Sequence, residues 1–259
     1  MPFAIERLDN KAEIYDLLKE DRLYAAYAIG DLEPALFKHC EWHVSSRNGQ
    51  RISLCMFFRG LPTDRLFLMG SAQGLEPILV GVLNTSRVYF SCRAPHLAVI
   101  RPGYSLRKIQ LMLRMALAPQ KFTPVEGSVT RVGSRQVGLL QDLYRRHGGV
   151  AFAPYQLEQG VFYGVEKDGE LVATAGTHLV SRTYRLGIVG NVITHPDYRG
   201  QGYATICTSA VVEELLSQSL DVVLNVEHGN APAKMIYDRL GFEVYCHFIE
   251  CLGIRRASN

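Results

Sequence analysis

The stretch Gly190-Asn-Val-Ile-Thr-His-Pro-Asp-Tyr-Arg-Gly-Gln-Gly-Tyr-Ala204 decides how the C-terminal half of this chain of 259 residues folds. Its first residues end an apolar run that is typical of a β-strand, and Pro196 interrupts that strand. The residues that follow repeat their apolar positions with the period of a helix, at Ala204, Cys207, Val211 and Leu215. The stretch therefore predicts a strand, a turn that contains glycines, and a helix.

The turn Arg199-Gly-Gln-Gly-Tyr-Ala204 has the composition of an anion site. A turn that leads into a helix directs backbone N–H groups and the positive end of the helix dipole at one point. Glycines let an anion approach the backbone, and the guanidinium of Arg199 offers several donors to phosphate oxygens. A Gly-x-Gly pair alone is weak evidence, because glycines before a helix often only turn the chain. With the strand, proline and arginine around it, the pattern predicts diphosphate binding.

A second informative stretch runs from Leu224 to Phe242, and it contains Asn230-Ala-Pro-Ala-Lys-Met-Ile-Tyr-Asp-Arg-Leu-Gly241. Asn230 stands where a helix cap belongs, and Pro232 is tolerated in the first turn of a helix. One apolar stripe follows at Ala233, Ile236, Tyr237 and Leu240. On periodicity alone, Tyr237 is interpreted as a half-buried core tyrosine.

The two stretches together resemble the acyl-CoA-binding motifs of the GNAT superfamily of N-acetyltransferases. The family signature Arg/Gln-x-x-Gly-x-Gly/Ala is matched by Arg199, Gly202 and Ala204. The later pattern Asn-x-x-Ala-x-x-x-Tyr-x-x-x-Gly-Phe is matched at Asn230, Ala233, Tyr237, Gly241 and Phe242. The resemblance covers residues 129–252, and the pairing of the two motifs at this spacing makes it specific.

The resemblance implies acetyl-CoA, or another acyl-CoA, as cosubstrate, and it implies no metal. The residues that it assigns to the cofactor lie at the strand end, in the turn and in the second motif: Val192, Ile193, Thr194, Arg199, Gly200, Gln201, Gly202, Tyr203, Ala204, Asn230 and Ala233. Tyr237 matches the tyrosine that commonly protonates the departing CoA thiolate. A phenol of pKa ~10 can hand a proton to a thiolate of pKa ~8–9, so the resemblance favours a catalytic Tyr237 over a core one.

The general base has no direct counterpart at the position that some relatives use. Some relatives keep a glutamate on the central strand, whereas the corresponding segment here, residues 185–192, has no carboxylate. Glu227 is the best substitute, because it lies at the end of the predicted strand Val222–Val226 and shares one face with Asn225. His178 is the second candidate, and His195 is interpreted as an exposed loop residue. A strand-end glutamate is usually only solvated, so that interpretation of Glu227 stays open.

The order of elements after residue 128 is β-α-β-β-β-α-β-α-β, with a loop over Gly148–Gly160 and a hairpin at Asp168-Gly169. The first 120 residues can be read in a similar order, starting from a capping box at Asn10-x-x-Glu13. Residues 118–124, with two prolines, form the predicted boundary. We therefore expect an α/β chain of two GNAT-like units in tandem, at 1–120 and 125–259, each a central mixed, mostly antiparallel sheet flanked by helices.

The N-terminal unit is predicted to be a degenerate copy that has lost CoA. Its corresponding segment, Leu66–Pro77, keeps glycines but has no arginine in the loop, and Glu76 places a negative charge at the predicted helix start. The simplest account is a tandem duplication after which this unit only covers the other and helps to form the acceptor pocket. An unrelated α/β domain is the alternative.

Composition excludes several classes of protein. Formal net charge is +3, which is too balanced for a nucleic-acid binder, and no apolar run approaches the ~18 residues that cross a membrane. The N-terminus has no signal-peptide pattern, and six scattered cysteines are typical of reduced thiols, so we expect a cytoplasmic protein. We expect it to be a monomer or a homodimer. His39 and His43 lack the His-Glu-x-x-His order of a zinc protease and are interpreted as a surface turn leading into a strand.

The sequence is compatible with two functions. The first is an acyl-CoA-dependent N-acyltransferase that transfers acetyl directly to a primary amine of a small molecule or peptide. The alternative is a CoA-binding sensor or assembly protein without turnover. Basic side chains could receive a carboxylated acceptor, or they could simply be solvated: Arg93, Arg101, Arg107 and Lys108.

Overall fold

The structure, a computed structural model, describes residues 2–148, 152 and 154–256. Among these residues the chain forms two compact units. The first contains residues up to 113, 227–229 and 246 onward, and the second contains 114–226 and 230–245. This grouping differs from the predicted split at 120–125, because the C-terminal strand completes the sheet of the first unit.

The first unit begins with short helices and then builds a sheet. Its elements are β1 (Ala4–Leu8), α1 (Lys11–Leu18), α2 (Ala26–Gly30), α3 (Pro34–Phe37), β2 (Cys40–Arg47), β3 (Gln50–Phe58), β4 (Asp64–Gly70), α4 (Ala72–Gly81), β5 (Arg87–Cys92), α5 (Leu97–Ile100) and most of β6 (Tyr104–Leu117). The strands are ordered β1-β2-β3-β4-β5, and the registered pairs are antiparallel except for the parallel pair β4–β5.

The second unit follows the predicted order. Its elements are β7 (Thr130–Arg131), α6 (Val137–His147), α7 (Pro154–Gln159), β8 (Phe162–Lys167), β9 (Glu170–Ser181), β10 (Leu186–Thr194), α8 (Tyr203–Ser217), β11 (Asp221–Glu227) and α9 (Ala231–Arg239), followed by β12 (Glu243–Arg255), which runs on into the first unit. The strands are ordered β11-β10-β9-β8-β7, with β10–β11 as the parallel pair.

The two units therefore share one arrangement, as predicted: a mixed, mostly antiparallel sheet with helices packed on it. In each unit a strand, a helix and a parallel strand follow one another, as β4–α4–β5 and as β10–α8–β11. The helices α4 and α8 each pack on the strands of their own unit. Apolar clusters fill each unit, one around Phe57 and Phe90 and the other around Leu140 and Phe162.

Several local predictions are confirmed by backbone geometry. Asp168 and Gly169 both have positive φ, 52° and 81°, as the two-residue turn between β8 and β9 requires. Gly241 ends α9 with φ 94°, and a Cβ there would lie 2.0 Å from the carbonyl oxygen of Lys121. Asn10 caps α1 by accepting hydrogen bonds from two backbone N–H groups, although Glu13 is paired with Arg51 instead of completing a capping box.

Other local predictions are wrong or only partly confirmed. His39 lies in an exposed turn that leads into a strand, as predicted, but β2 already begins at Cys40, so His43 lies within the strand next to Trp42, which is only 1% exposed. The strand β1 was not expected, and α7 occupies part of the predicted loop 148–160, of which residues 149–151 and 153 lie outside the described part of the chain. Glu76 lies in the second turn of α4 and not at its start. In the part of the chain that the structure describes, no helix is long and apolar enough to cross a membrane.

Candidate functional site

The parallel pair β10–β11 separates partway along its length. Its register runs from Leu186 opposite Asp221 to Val189 opposite Leu224 and stops there, although β10 continues to Thr194 alongside β9. The register between β10 and β9 shifts between Gly190 and Ile193, which marks a β-bulge. Because a bulge bends its strand, β10 departs from β11 and leaves a gap beside Val192 and Ile193.

Asn191 is the residue that shapes this bulge. Its φ of 54° lies in the left-handed region, and its side chain is 6% exposed. Its Nδ2 donates to the carbonyl oxygen of Thr177 at 3.0 Å, and its own carbonyl oxygen accepts a hydrogen bond from the hydroxyl of Tyr144 on α6. Burial raises the pKa of Tyr144, so that hydroxyl keeps its proton. The bulge is thus fixed from both the sheet and a helix.

The predicted anion turn is open to solvent at its glycines. Gly200 and Gly202 have φ of 75° and 81°, and a Cβ built on either would meet no atom within 4 Å. Gly202 is the N-cap of α8, a helix of 15 residues, and no side chain caps that end. The first N–H groups of a helix have no partner within the helix, so those of Tyr203 and Ala204 are available to a ligand. A diphosphate fits this arrangement of open backbone donors.

The positive charge of Arg199 lies at the same turn. Its Nε donates to the carbonyl oxygen of Thr194 at 3.3 Å, which braces the turn against the end of β10, and the side chain remains exposed. Gln201 is exposed between the two glycines, and the ammonium of Lys167 lies 6.0 Å from the centre of the Tyr203 ring. The predicted turn residues therefore form one contiguous surface.

The second motif begins with a helix cap. The Oδ1 of Asn230 accepts a hydrogen bond from the backbone N–H of Ala233 at 3.2 Å, as an N-cap residue does. Asn230 is exposed and Ala233 is half-buried. The structure thus gives Asn230 a clear local role in starting α9, alongside the cofactor contact that the sequence predicts.

Tyr237 projects from α9 into an apolar environment. It is 6% exposed, and its ring packs edge-on against Phe242 with 6.0 Å between centroids. Burial raises the pKa of its hydroxyl to about 12, so the phenol carries its proton at neutral pH.

The candidate bases differ in their surroundings. Glu227 is the exposed last residue of β11 and belongs to the first compact unit. His178 lies on β9, where the Nε2 of Gln156 donates to its carbonyl oxygen at 2.9 Å and lies 3.5 Å from its Nδ1.

His195 has a different, local role in the turn. Its Nδ1 accepts from the N–H of Asp197 at 3.2 Å, and its ring lies 4.2 Å from that of His147, centre to centre. It therefore holds the turn that precedes Arg199.

The corresponding place in the first unit is closed. There β4 passes through Gly70 and Ser71 directly into α4, without the eight residues that separate β10 from α8. A Cβ on Gly70 would lie 2.3 Å from the carbonyl oxygen of Ile52, and one on Gly74 would lie 2.4 Å from the hydroxyl of Ser53. Ser71 also accepts a hydrogen bond from the Gly74 N–H at 3.1 Å. The turn is filled by the protein itself, which is a stronger reason for the lack of an anion site than the charge of Glu76.

Two polar residues beside the gap, Asn191 on β10 and Asn225 on β11, were not assigned to the site from the sequence. Each has apolar residues on both sides, and a carboxamide within such a run is the signal that could have identified them. The Oδ1 atoms of both residues are buried and have no hydrogen-bond partner among the described residues.

Comparisons with known proteins agree with this geometry. The model of the acetyltransferase (GNAT) family matches residues 137–242. No curated protein matches the chain. Among solved structures, a GCN5-related N-acetyltransferase from Sphaerobacter thermophilus is 16% identical with a TM-score of 0.63, and the match covers 99% of this chain and 97% of that one.

Two further structures resemble the chain over nearly its whole length. A tandem GNAT protein from the clavulanic acid biosynthesis pathway is 14% identical with a TM-score of 0.59, and the match covers 100% of both chains. A Drosophila protein is 12% identical with a TM-score of 0.73, and the match covers 96% of this chain and 98% of that one. At such identities the likeness concerns the fold. The chain thus carries a domain of the GNAT acetyltransferase family at residues 137–242, and its N-terminal half is similar in fold to tandem GNAT proteins.

Proposed function

We propose that the chain is an acyl-CoA-dependent N-acyltransferase that transfers acetyl from acetyl-CoA to a primary amine of a small molecule or peptide. The observation that carries the proposal is the open turn at Gly200 and Gly202, which presents uncapped helix N–H groups beside Arg199. It supports diphosphate binding next to a gap between two strands. The proposal includes a cytoplasmic protein, monomeric or homodimeric, that uses no metal.

The bound cosubstrate would supply an acyl group activated as a thioester. The turn residues would hold its diphosphate, and the backbone of Val192, Ile193 and Thr194 would border its pantetheine arm in the gap beside β10. The bulge at Asn191, fixed by Tyr144 and Thr177, keeps that edge of β10 apart from β11. Preorganisation of this kind reduces the ordering cost of binding.

Tyr237 supplies a proton at its hydroxyl oxygen. Its pKa is raised to about 12, so the hydroxyl is protonated throughout the neutral range and a proton is present there for the departing thiolate. The attacking amine must lose its proton, and Glu227 or His178 would accept it. On β10, Ile188 pairs with Val223 and is fully buried. The centre of β10 therefore supplies no carboxylate that could act as the base.

The test is thiol release from acetyl-CoA in the presence of a panel of primary amines that includes a polyamine, an aminoglycoside, an amino-acid amide and a lysine peptide. We expect at least one amine to accelerate release, and Tyr237→Phe to lower kcat by about tenfold or more with an unchanged Kd for acetyl-CoA.

Tyr163→Phe is the matched control, because that hydroxyl binds Glu214 at 3.0 Å on the surface of α8. It should keep full turnover. Tight binding of acetyl-CoA without acceleration by any amine would refute the enzyme and leave a CoA-binding sensor or assembly protein. Unchanged turnover in Tyr237→Phe would show that this tyrosine only packs in the core and does not act in catalysis.

A further inference from the structure

One polar atom beside the gap takes no part in the proposed acyl transfer. The Oδ1 of Asn225 is buried and has no hydrogen-bond partner among the described residues. Buried carboxamide oxygens in folded proteins are nearly always paired, so an orphaned one at the edge of a ligand site points to a ligand group that pairs with it. A carboxamide oxygen is only an acceptor, and its missing partner must therefore be a donor such as N–H.

The position of Asn225 places it where the strands separate. The last registered pair of β10 and β11 is Val189 with Leu224, so Asn225 is the first residue of β11 beyond the ladder. Two further polar atoms on the β10 side are also buried without partners among the described residues, the Oδ1 of Asn191 and the Oγ1 of Thr194. Unpaired polar atoms from both strands thus lie beside the gap.

The side chain of Asn225 lies on the face of the sheet away from α8. A Cβ on Gly187 would lie 2.9 Å from Leu215 of α8, so Gly187 and its register partner Val222 point towards that helix. Side chains alternate along a strand, and therefore Asn225 points to the opposite face, as Gly190 does.

His178 lies on that same face. A Cβ on Gly190 would lie 3.3 Å from the Cβ of His178, so these two residues are neighbours, and Asn225 follows Leu224, the last residue of β11 that pairs with β10. Because Gly190 has no side chain, the space between the histidine and the carboxamide is not filled by β10 itself. Gln156 of α7 holds the backbone of His178 in place. A group that enters this space would meet a hydrogen-bond acceptor on one side and a candidate base on the other.

We propose that the Oδ1 of Asn225 accepts a hydrogen bond from an N–H of the ligand, and that this N–H belongs to the attacking amine. The inference rests on the proposed function. It assigns Asn225 as an amine-binding residue that leaves the nitrogen lone pair directed at the acyl group, since one N–H is held by the carboxamide. An amide N–H of the pantetheine arm offers the same chemistry from the donor side, and the experiment separates the two sources.

The experiment compares Asn225→Leu, which keeps the size and removes the oxygen, with Asn225→Asp, which keeps an acceptor oxygen. We expect Asn225→Leu to raise the KM of the best amine of the panel at least tenfold while the Kd of CoA stays unchanged, and Asn225→Asp to restore the low KM. Gln218→Leu is the matched control, because the Oε1 of Gln218 is also buried without a partner among the described residues but lies at the C-terminal end of α8. It should leave both constants unchanged.

A second arm measures binding of CoA and of 3′-phosphoadenosine 5′-diphosphate, which lacks the pantetheine arm. If Asn225→Leu weakens only CoA, the N–H belongs to pantetheine and the assignment to the amine is overturned. If neither the amine KM nor either Kd changes, the contact itself is overturned.

Failure of the proposed function can be distinguished from failure of the Asn225 assignment, because the wild-type protein itself would then bind no CoA or would not accelerate acetyl transfer to any amine. Circular dichroism checks folding of every variant, and Asn225→Ala replaces Asn225→Leu if the latter does not fold.

Discussion

Substitution of Gly202 by alanine tests the anion turn most directly. Gly202 has φ 81° and caps α8, and a Cβ there would enter open space and contact no protein atom. The added methyl group therefore creates no clash within the protein. It would instead occupy the space through which a diphosphate reaches the N–H groups of the helix, since phosphate oxygens bind within about 3 Å of those nitrogens.

Two separate effects should result, one on stability and one on the affinity for CoA. An L-residue in the left-handed region costs roughly 1–2 kcal/mol in the free energy of unfolding. Gly49 provides the matched control, because its φ is 77° and a Cβ there also meets no atom within 4 Å, but it lies in the hairpin between β2 and β3. Gly49→Ala should lose about the same stability as Gly202→Ala. Only Gly202→Ala should raise the Kd of CoA, by at least tenfold, which corresponds to about 1.4 kcal/mol.

The assay pairs chemical denaturation with calorimetric titration of CoA and of 3′-phosphoadenosine 5′-diphosphate. Both ligands carry the diphosphate, so both should be weakened by Gly202→Ala. Equal CoA affinity in Gly202→Ala and Gly49→Ala, at equal loss of stability, would refute the assignment of the turn as the diphosphate site.

Three further predictions follow from the same contacts. Arg199→Ala should weaken CoA by about 1–3 kcal/mol through loss of a charge-assisted hydrogen bond, and Arg199→Lys should recover part of it; equal Kd values for all three proteins by titration would exclude that role. The folded pKa of Tyr237, about 12, lies above the ~10 of an unfolded tyrosine, so this group contributes stability below pH 10 that is lost as the pH rises from 10 to 12. Denaturant unfolding followed across that range should therefore show a shallower decline for Tyr237→Phe than for wild type, and identical slopes would contradict the burial argument. Gly70→Ala should destabilise the first unit by about 3 kcal/mol or more, because the Cβ would lie 2.3 Å from a backbone oxygen at φ 95°; a stability like that of wild type would show that the turn can relax.

Much of the second unit could be predicted because its local signals agree with each other. The Asp168-Gly169 turn, the Asn230 cap and the Gly241 stop each fix one end of an element, and the apolar spacing of α8 fills in the helix between two strands. Where local signals competed, prediction failed. In β2 the buried residues Cys40, Trp42 and Val44 alternate with Glu41 and His43, so the period of a strand was present in the sequence but was not recognised among these polar neighbours.

The sequence predicts only those parts of the candidate site that depend on local backbone conformation and on the two motifs. The open glycines and the helix start follow from the sequence around Arg199. The closure of the first-unit turn depends on contacts of Gly70 and Gly74 with β3, which no local pattern reveals. The bulge at Asn191 likewise depends on Tyr144 and Thr177, both distant in sequence.

The position of the C-terminal strand has a consequence for the order in which the chain can fold. Residues 249–254 of β12 pair with residues 87–92 of β5, and the Ser91 to Glu250 hydrogen bond spans 159 positions of sequence. A ribosome that adds 5–20 residues per second needs roughly 10–30 s to synthesise that interval. The edge of β5 must stay unpaired with β12 during this time, so the N-terminal sheet is completed only after the family domain at 137–242 has been synthesised. A nascent chain halted before residue 246 would expose the edge of β5 that pairs with β12, and such an edge can pair with other chains unless a chaperone covers it.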